Sequence, residues 1–212
     1  MWNCVKIYTL EVNMIRNKLL IAFDGTNAAG KTTLIHSVAS RLKEQGINCE
    51  VLVEPARNSP TADAILLYNQ GSFDMPAQLE LFAMHIVQCV RATKNGTLII
   101  SDRTPISTMA YNDMLITNRT KHEENLIDVA ESFTNIWTAY YDIIFYCQDY
   151  FASTQDDDKI RKGDDEFQRM LDTKTRQLYE KADANLVYIP KGLSLTDRTD
   201  FVLSELKKSH NF

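Results

Sequence analysis

Along the chain, short continuous apolar runs alternate with longer segments of helical spacing. KLLIAF (18–23), CEVLVE (49–54), TLIIS (97–101), DIIFYC (142–147) and NLVYI (185–189) are the runs expected of strands buried on both faces. Between them, helices are predicted over 31–45, 76–94, 123–139 and 165–183. The first stops at Gln45-Gly46. The second places Leu79, Phe82, Ile86 and Val90 on one face and stops at Asn95-Gly96. This alternation predicts an α/β three-layer sandwich: a five-stranded parallel sheet with helices on both faces. Right-handed crossovers then gather the carboxyl ends of the strands along one edge, where ligands bind. Residues 1–14 precede the first strand and are expected to form an appendage to one domain over 15–212.

The first strand leads into AFDGTNAAGKTTL (22–34), which holds two of the chain's seven glycines, a lysine and three threonines. Gly25, Thr26, Asn27, Ala28, Ala29, Gly30, Lys31 and Thr32 fit the phosphate-binding pattern G-x-x-x-x-G-K-[ST], followed by Thr33. Strand before and helix after are the context this P-loop requires. Glycine lets the backbone close around an anion, and the helix N-terminus turns N–H groups toward it. Lys31 would reach the β- and γ-phosphates of ATP, and the Thr32 hydroxyl would ligate Mg²⁺. The N-K-x-D segment with which GTPases read guanine is absent.

Charged pairs follow at two more strand ends: Glu54 with Arg57, and Asp102 with Arg103. In a parallel sheet both pairs converge near the phosphate loop. A carboxylate there binds Mg²⁺, as expected for Asp102, or takes a hydroxyl proton; an arginine stabilises the phosphoryl group in flight or holds an anionic acceptor. The helix over 76–94 offers Gln78, His85 and Gln88 to an acceptor, and Phe73, Phe82 and Tyr111 are candidates to stack on it.

Composition narrows the picture only modestly. Apolar residues make up 44% of the chain and the net charge is −5, which disfavours nucleic-acid backbone binding. No apolar run reaches the roughly 18 residues of a membrane helix, and the first residues lack the features of a secretory leader. Cys4, Cys49, Cys89 and Cys147 are scattered singly, as expected for free thiols in a reducing cytoplasm.

The P-loop combined with SDRTPISTMAY (101–111) resembles the thymidylate kinase and deoxynucleoside kinase group. Asp102, Arg103, Ser107, Ala110 and Tyr111 match the D-R-Y-x-x-S-x-x-A-Y pattern, and Glu54-Pro55 resembles a segment common to both branches. Glu54-x-x-Arg57 is also similar to AAA-like small-molecule kinases of the nicotinamide riboside type. The resemblance implies ATP- and Mg²⁺-dependent phosphoryl transfer to a nucleoside monophosphate or a deoxynucleoside. Lys31, Asp102, Arg103, Glu54 and Arg161 would be catalytic, while Arg57, Phe82, Gln88, Arg103 and Tyr111 would hold the acceptor. Gln88 ranks first among the polar helix positions because it coincides with a family glutamine. The charged stretch STQDDDKIRKGDDEF (153–167) takes the place of the lid, about 152–166, from which Arg161 would close on the phosphates. Helices 123–139 and its neighbours are compatible with a homodimer. The chain departs from the thymidylate kinase pattern at Val53, Ala56, Arg57, Ile86 and Thr104. Another small hydroxyl compound such as nicotinamide riboside, and a modified base in DNA, are alternative acceptors. A regulatory ATPase without an acceptor is the alternative of a different class.

Overall fold

The computed structural model describes residues 18–68, 72–94, 98–116, 118–151 and 165–209. The expected appendage (1–14), Arg161 and most of the expected lid lie outside them.

Five strands form one parallel sheet: β1 (Leu19–Asp24), β2 (Cys49–Leu52), β3 (Leu98–Asp102), β4 (Ile143–Cys147) and β5 (Leu186–Ile189). Their order across the sheet is β2-β3-β1-β4-β5. The helices are α1 (Lys31–Glu44), α2 (Pro60–Tyr68), α3 (Met75–Ala92), α4 (Pro105–Leu115), α5 (Lys121–Thr138), α6 (Asp165–Lys181) and α7 (Leu195–Ser209). A 3₁₀ turn covers Pro55–Arg57.

Alternation along β1 divides the core. Ile21 and Phe23 face α1 and α7, packing with Leu34, Val38, Val202 and Leu206. Leu20 and Ala22 face the other layer and pack with residues of α3, α4, α5 and α6 such as Cys89, Ile106, Trp137 and Leu178. The three-layer sandwich expected from the apolar runs is therefore the observed architecture. At β2 the strand ends two residues early, at Leu52, because the chain turns into the Pro55 helix; Val53 is exposed and Glu54 caps the turn.

α3 starts where Asp74 accepts a hydrogen bond from the Ala77 N–H at 3.2 Å, with Pro76 in the first turn. α5 starts with a capping box between Thr120 and Glu123. Helices α2, α4 and α7 are not predicted by apolar spacing. The first two are short, and α7 buries Arg198 and Thr199 where an apolar stripe would begin.

The topology sets the location of the site. β3 lies between β1 and β2, in register with Phe23 beside Asp102. The loops after β1, β2 and β3 thus meet at one edge, at the point where the strand order reverses.

Candidate active site

The loop from Gly25 to Gly30 joins β1 to α1. Gly25 has φ +135°, and a Cβ there would lie 2.4 Å from the Cys147 carbonyl oxygen, so the loop is held tightly over β4. Gly30 caps α1 at φ +72° with no side-chain bond to the first turn. The N–H groups of that turn therefore point to an open pocket lined by residues 27–33 with Glu54, Arg57 and Arg103. Lys31 is buried and donates to the carbonyls of Gly25 (3.0 Å) and Thr26 (2.7 Å). Burial, helped by the nearby Arg103 charge, lowers its pKa to about 8, against the pull of Asp102, Glu54 and Asp24. At neutral pH it remains mostly charged.

Thr32 Oγ1 donates to Asp102 Oδ2 at 2.8 Å. The other oxygen, Oδ1, is buried and has no hydrogen-bond partner among the described residues. Burial raises the Asp102 pKa, partly offset by Lys31. A hydroxyl beside a carboxylate with one orphaned oxygen fits Mg²⁺, which prefers oxygen ligands. Among the described residues there is no cluster of three or more His, Cys, Asp or Glu side chains. Mg²⁺ is commonly held by one or two protein oxygens, with nucleotide phosphates and water in its remaining positions.

Arg103 occupies the centre. Its backbone is left-handed, at φ +76°. Nε donates to Glu54 Oε1 at 2.5 Å, Nη1 to the Gly25 carbonyl at 3.2 Å and Nη2 to Asn27 Oδ1 at 2.6 Å. Arg57 approaches the same carboxylate from the solvent side, Nε to Oε2 3.6 Å. Burial would raise the Glu54 pKa, but Arg103 and Lys31 outweigh it and hold it below the usual carboxylate range. Burial likewise opposes the Arg103 charge, and Glu54 more than restores it.

Beneath Arg103 lies Asp24, fully buried. It accepts from the Gly25 N–H (2.7 Å), from Ser107 Oγ (2.6 Å) and from the Tyr179 hydroxyl. Thr104 Oγ1 lies 3.2 Å from Asp24 and 2.6 Å from Tyr179. One carboxylate thereby joins the P-loop, the start of α4 and the end of α6.

A second cleft opens to solvent on the far side of the Arg103–Glu54 pair. Its walls include Phe73, Leu81, Tyr111 and Leu115, with Gln78 and His85 as the polar positions from α3. Gln78 is buried, and its Oε1 has no partner among the described residues. His85 Nε2 lies 2.8 Å from the Tyr141 hydroxyl, and burial lowers its pKa to about 4. It is a neutral ring at physiological pH. Asn27, Glu54 and Arg103 border both this cleft and the phosphate pocket.

A family model described as an AAA domain matches residues 20–198, most of the chain. The chain belongs to the AAA domain family. Thymidylate kinase of Maridesulfovibrio salexigens is 37% identical over 102 residues, covering 44% of this chain and 46% of that protein. A probable thymidylate kinase of Methanosarcina barkeri is 28% identical over 131 residues, 59% of this chain and 62% of that one. The matches span about half the length of such relatives. Among solved structures, deoxyadenosine kinase from M. mycoides with bound dATP aligns over 89% of this chain and 100% of its own, with a TM-score of 0.66 at 18% identity. Thymidylate kinase from Ehrlichia chaffeensis aligns over 90% and 99%, at 0.61 and 20%. NadR protein in complex with NR aligns over 95% and 53%, at 0.68 and 14%. These similarities place the AAA-domain chain in the P-loop nucleotide kinase fold.

Within this AAA domain the fold brings Lys31, Thr32, Asp102, Arg103, Glu54 and Arg57 together, and Tyr111 lines the second cleft with the Arg103 guanidinium 5.7 Å above its ring. It does not bring Phe82 or Gln88 there. Phe82 packs edge-on against Phe133 of α5, ring centres 5.7 Å apart. Gln88 lies ten residues beyond Gln78, about 15 Å further along α3, and is not part of the cleft wall. The α3 residues that open on the cleft are instead Gln78, Leu81 and His85. Three residues stand outside the sequence reading altogether. Asp24 was visible only as an acid closing an apolar strand. Tyr179 carries no local signal. Arg198, buried on α7, donates to the Ala29 carbonyl at 3.0 Å and braces the outer side of the P-loop.

Proposed function

We propose that the chain transfers the γ-phosphoryl group of ATP to a nucleoside or nucleoside monophosphate seated in the cleft between α3 and α4. The observation that carries this reading is the shared border. Asn27, Glu54 and Arg103 separate a phosphate pocket from a mostly apolar cleft. A nucleotide-driven switch needs the first pocket and has no use for the second.

The P-loop N–H groups and Lys31 would hold the β- and γ-phosphates, Lys31 exchanging its loop carbonyls for phosphate oxygens. Thr32 and Asp102 would hold Mg²⁺, which supplies charge neutralisation at the bridging phosphates. Arg103 and Arg57 would face the charge that spreads over the transferring group. Gln78 would pair with the acceptor's base through its amide, between Phe73 and Tyr111. Catalysis would then rest on positioning and on fixed charge, with no covalent enzyme intermediate.

The test is incubation with Mg²⁺ and γ-labelled ATP against nucleosides and nucleoside monophosphates, with Lys31→Ala as the control. Label on an acceptor, lost in the control, supports the reading. Label released only as free phosphate, with no acceptor stimulating it, would favour a regulatory ATPase.

A further inference from the structure

Resting on the ATP-binding half of that reading, we propose that Arg198 is a positioning residue for the donor phosphates. From behind the P-loop it turns peptide N–H groups into the phosphate pocket and supplies a positive charge that the bound nucleotide answers.

Peptide geometry carries the first part. Arg198 is buried on α7, and its Nη2 donates to the Ala29 carbonyl at 3.0 Å. The Phe151 N–H donates to the Ala28 carbonyl at 2.9 Å. Both carbonyls are thus held on the outer side of the loop. In a trans peptide the carbonyl and the following N–H point in opposite directions. Tying down these two oxygens therefore turns the N–H groups of Ala29 and Gly30 the other way, toward the pocket that both residues line. Left-handed backbone at Ala28 (φ +57°) and Gly30 (φ +72°) curves the loop into an anion-binding concavity.

The brace also explains the glycine at position 30. A Cβ there would lie 2.9 Å from Arg198 Nη1 and 2.9 Å from the Phe151 ring. The guanidinium carbon stands 5.5 Å from the centre of that ring, so arginine and phenylalanine together fill the space behind the loop.

Charge carries the second part. Among the described residues, the side-chain partners of Arg198 are the Ala29 carbonyl, the Phe151 ring and the Cys147 thiol. Burial pushes that thiol up to about 11 against the pull of Arg198, so it is neutral. Nε is buried with no hydrogen-bond partner among the described residues. Arg103, by contrast, is paired with Glu54 and stands 3.9 Å from Asp24. A buried charge without a counter-ion is costly to the empty fold. Phosphates entering the pocket bring negative charge to the other side of the loop. The peptides between are already oriented with their carbonyls toward the guanidinium and their N–H groups toward the anion, so each strengthens the other.

The experiment measures binding of ATP and of inorganic tripolyphosphate by calorimetry, and Tm without ligand, in the wild type, Arg198→Met and Arg198→Lys. Arg198→Met should raise the Kd for ATP about 10-fold or more, the usual worth of a hydrogen bond to a charged group. The Kd for tripolyphosphate should rise by a similar factor, because the brace acts on phosphate and not on the base. Its Tm should stay within a few degrees of wild type, since methionine fills a similar volume and removes an unpaired charge. Arg198→Lys keeps the charge and a donor, and should recover most of the affinity. ATP affinity within about two-fold of wild type in Arg198→Met would overturn the proposal and leave the kinase reading intact. So would a methionine variant that melts far below wild type or does not fold, because the guanidinium would then support the chain itself. A lysine variant as weak as the methionine one would remove the role of charge. If the wild type binds neither ATP nor tripolyphosphate, the kinase reading fails and takes this proposal with it.

Discussion

Ser107 Oγ donates to Asp24 Oδ1 at 2.6 Å, joining residues 83 positions apart. The first turn of α4 is thereby tied to the end of β1, directly under the loop that would hold phosphate. The same carboxylate takes the Gly25 N–H and the Tyr179 hydroxyl, and stands 3.9 Å from Arg103. Asp24→Asn removes the charge and turns an acceptor into a donor among groups that all donate. It should cost about 3–5 kcal/mol of stability, read as a lower midpoint in urea, together with most of the activity. A wild-type midpoint would mean that the network does not support the fold.

Gln78 and Gln88 share one helix but not one environment. The unpartnered Oε1 of Gln78 gains nothing for the folded chain without a ligand, so Gln78→Leu should leave the urea midpoint unchanged or raise it. The same change should raise acceptor KM about 10-fold or more, the effect of losing about 1.5 kcal/mol in a hydrogen bond, and leave the KM for ATP alone. Gln88→Leu should move neither constant by more than about two-fold. Equal effects of the two substitutions would remove Gln78 from the acceptor site.

His85 makes the fold sensitive to acid. Its pKa is 6.5 in the open chain and falls to about 4 in the fold because burial disfavours the charged ring. Between those values the unfolded chain binds the extra proton. Its contribution is therefore complete above about pH 6.5 and is lost as pH falls toward 4, by roughly 3 kcal/mol in all. Urea unfolding at pH 7 and at pH 4.5 should show most of that loss in the wild type. His85→Gln, which cannot titrate there, should show a smaller drop; an identical drop would assign the acid sensitivity to other groups.

Two glycines with positive φ should respond differently to alanine. At Gly46 (φ +78°) a Cβ would meet nothing within 4 Å, so Gly46→Ala should cost only the left-handed strain of about 1–2 kcal/mol. At Gly25 the Cβ would strike the Cys147 backbone at 2.4 Å. That contact can be relieved only by moving the P-loop off β4. Gly25→Ala should abolish ATP binding, measured by calorimetry, or prevent folding. ATP affinity within a few-fold of wild type would show that the loop tolerates the shift.

Where chemistry depends on contiguous residues, the chain declared it. Residues 25–32 carry the phosphate loop within one turn, because backbone N–H groups, lysine and threonine must all converge on one anion. The five apolar runs predicted the sheet, because a strand covered on both faces has no polar side to show. Asp102-Arg103 could be placed at a strand end for the same reason.

What needed the tertiary structure was every relationship between distant segments. The insertion of β3 beside β1 sets Arg103 against Asn27, Gly25 and Glu54. Asp24 met Tyr179 only because α6 packs back over the sheet. Apolar spacing predicted α3 but put its inner face on Leu79, Phe82, Ile86 and Val90, whereas the buried residues are Met75, Ala77, Gln78, His85, Cys89 and Ala92 and Val90 is exposed; periodicity repeats along a helix without marking where a cavity begins. The packing of α4 and the Pro55 turn against its first half decided that Gln78 opens on the cleft and Gln88 does not. Local chemistry is written in neighbouring residues. The shape of the space between helices exists only once they are packed.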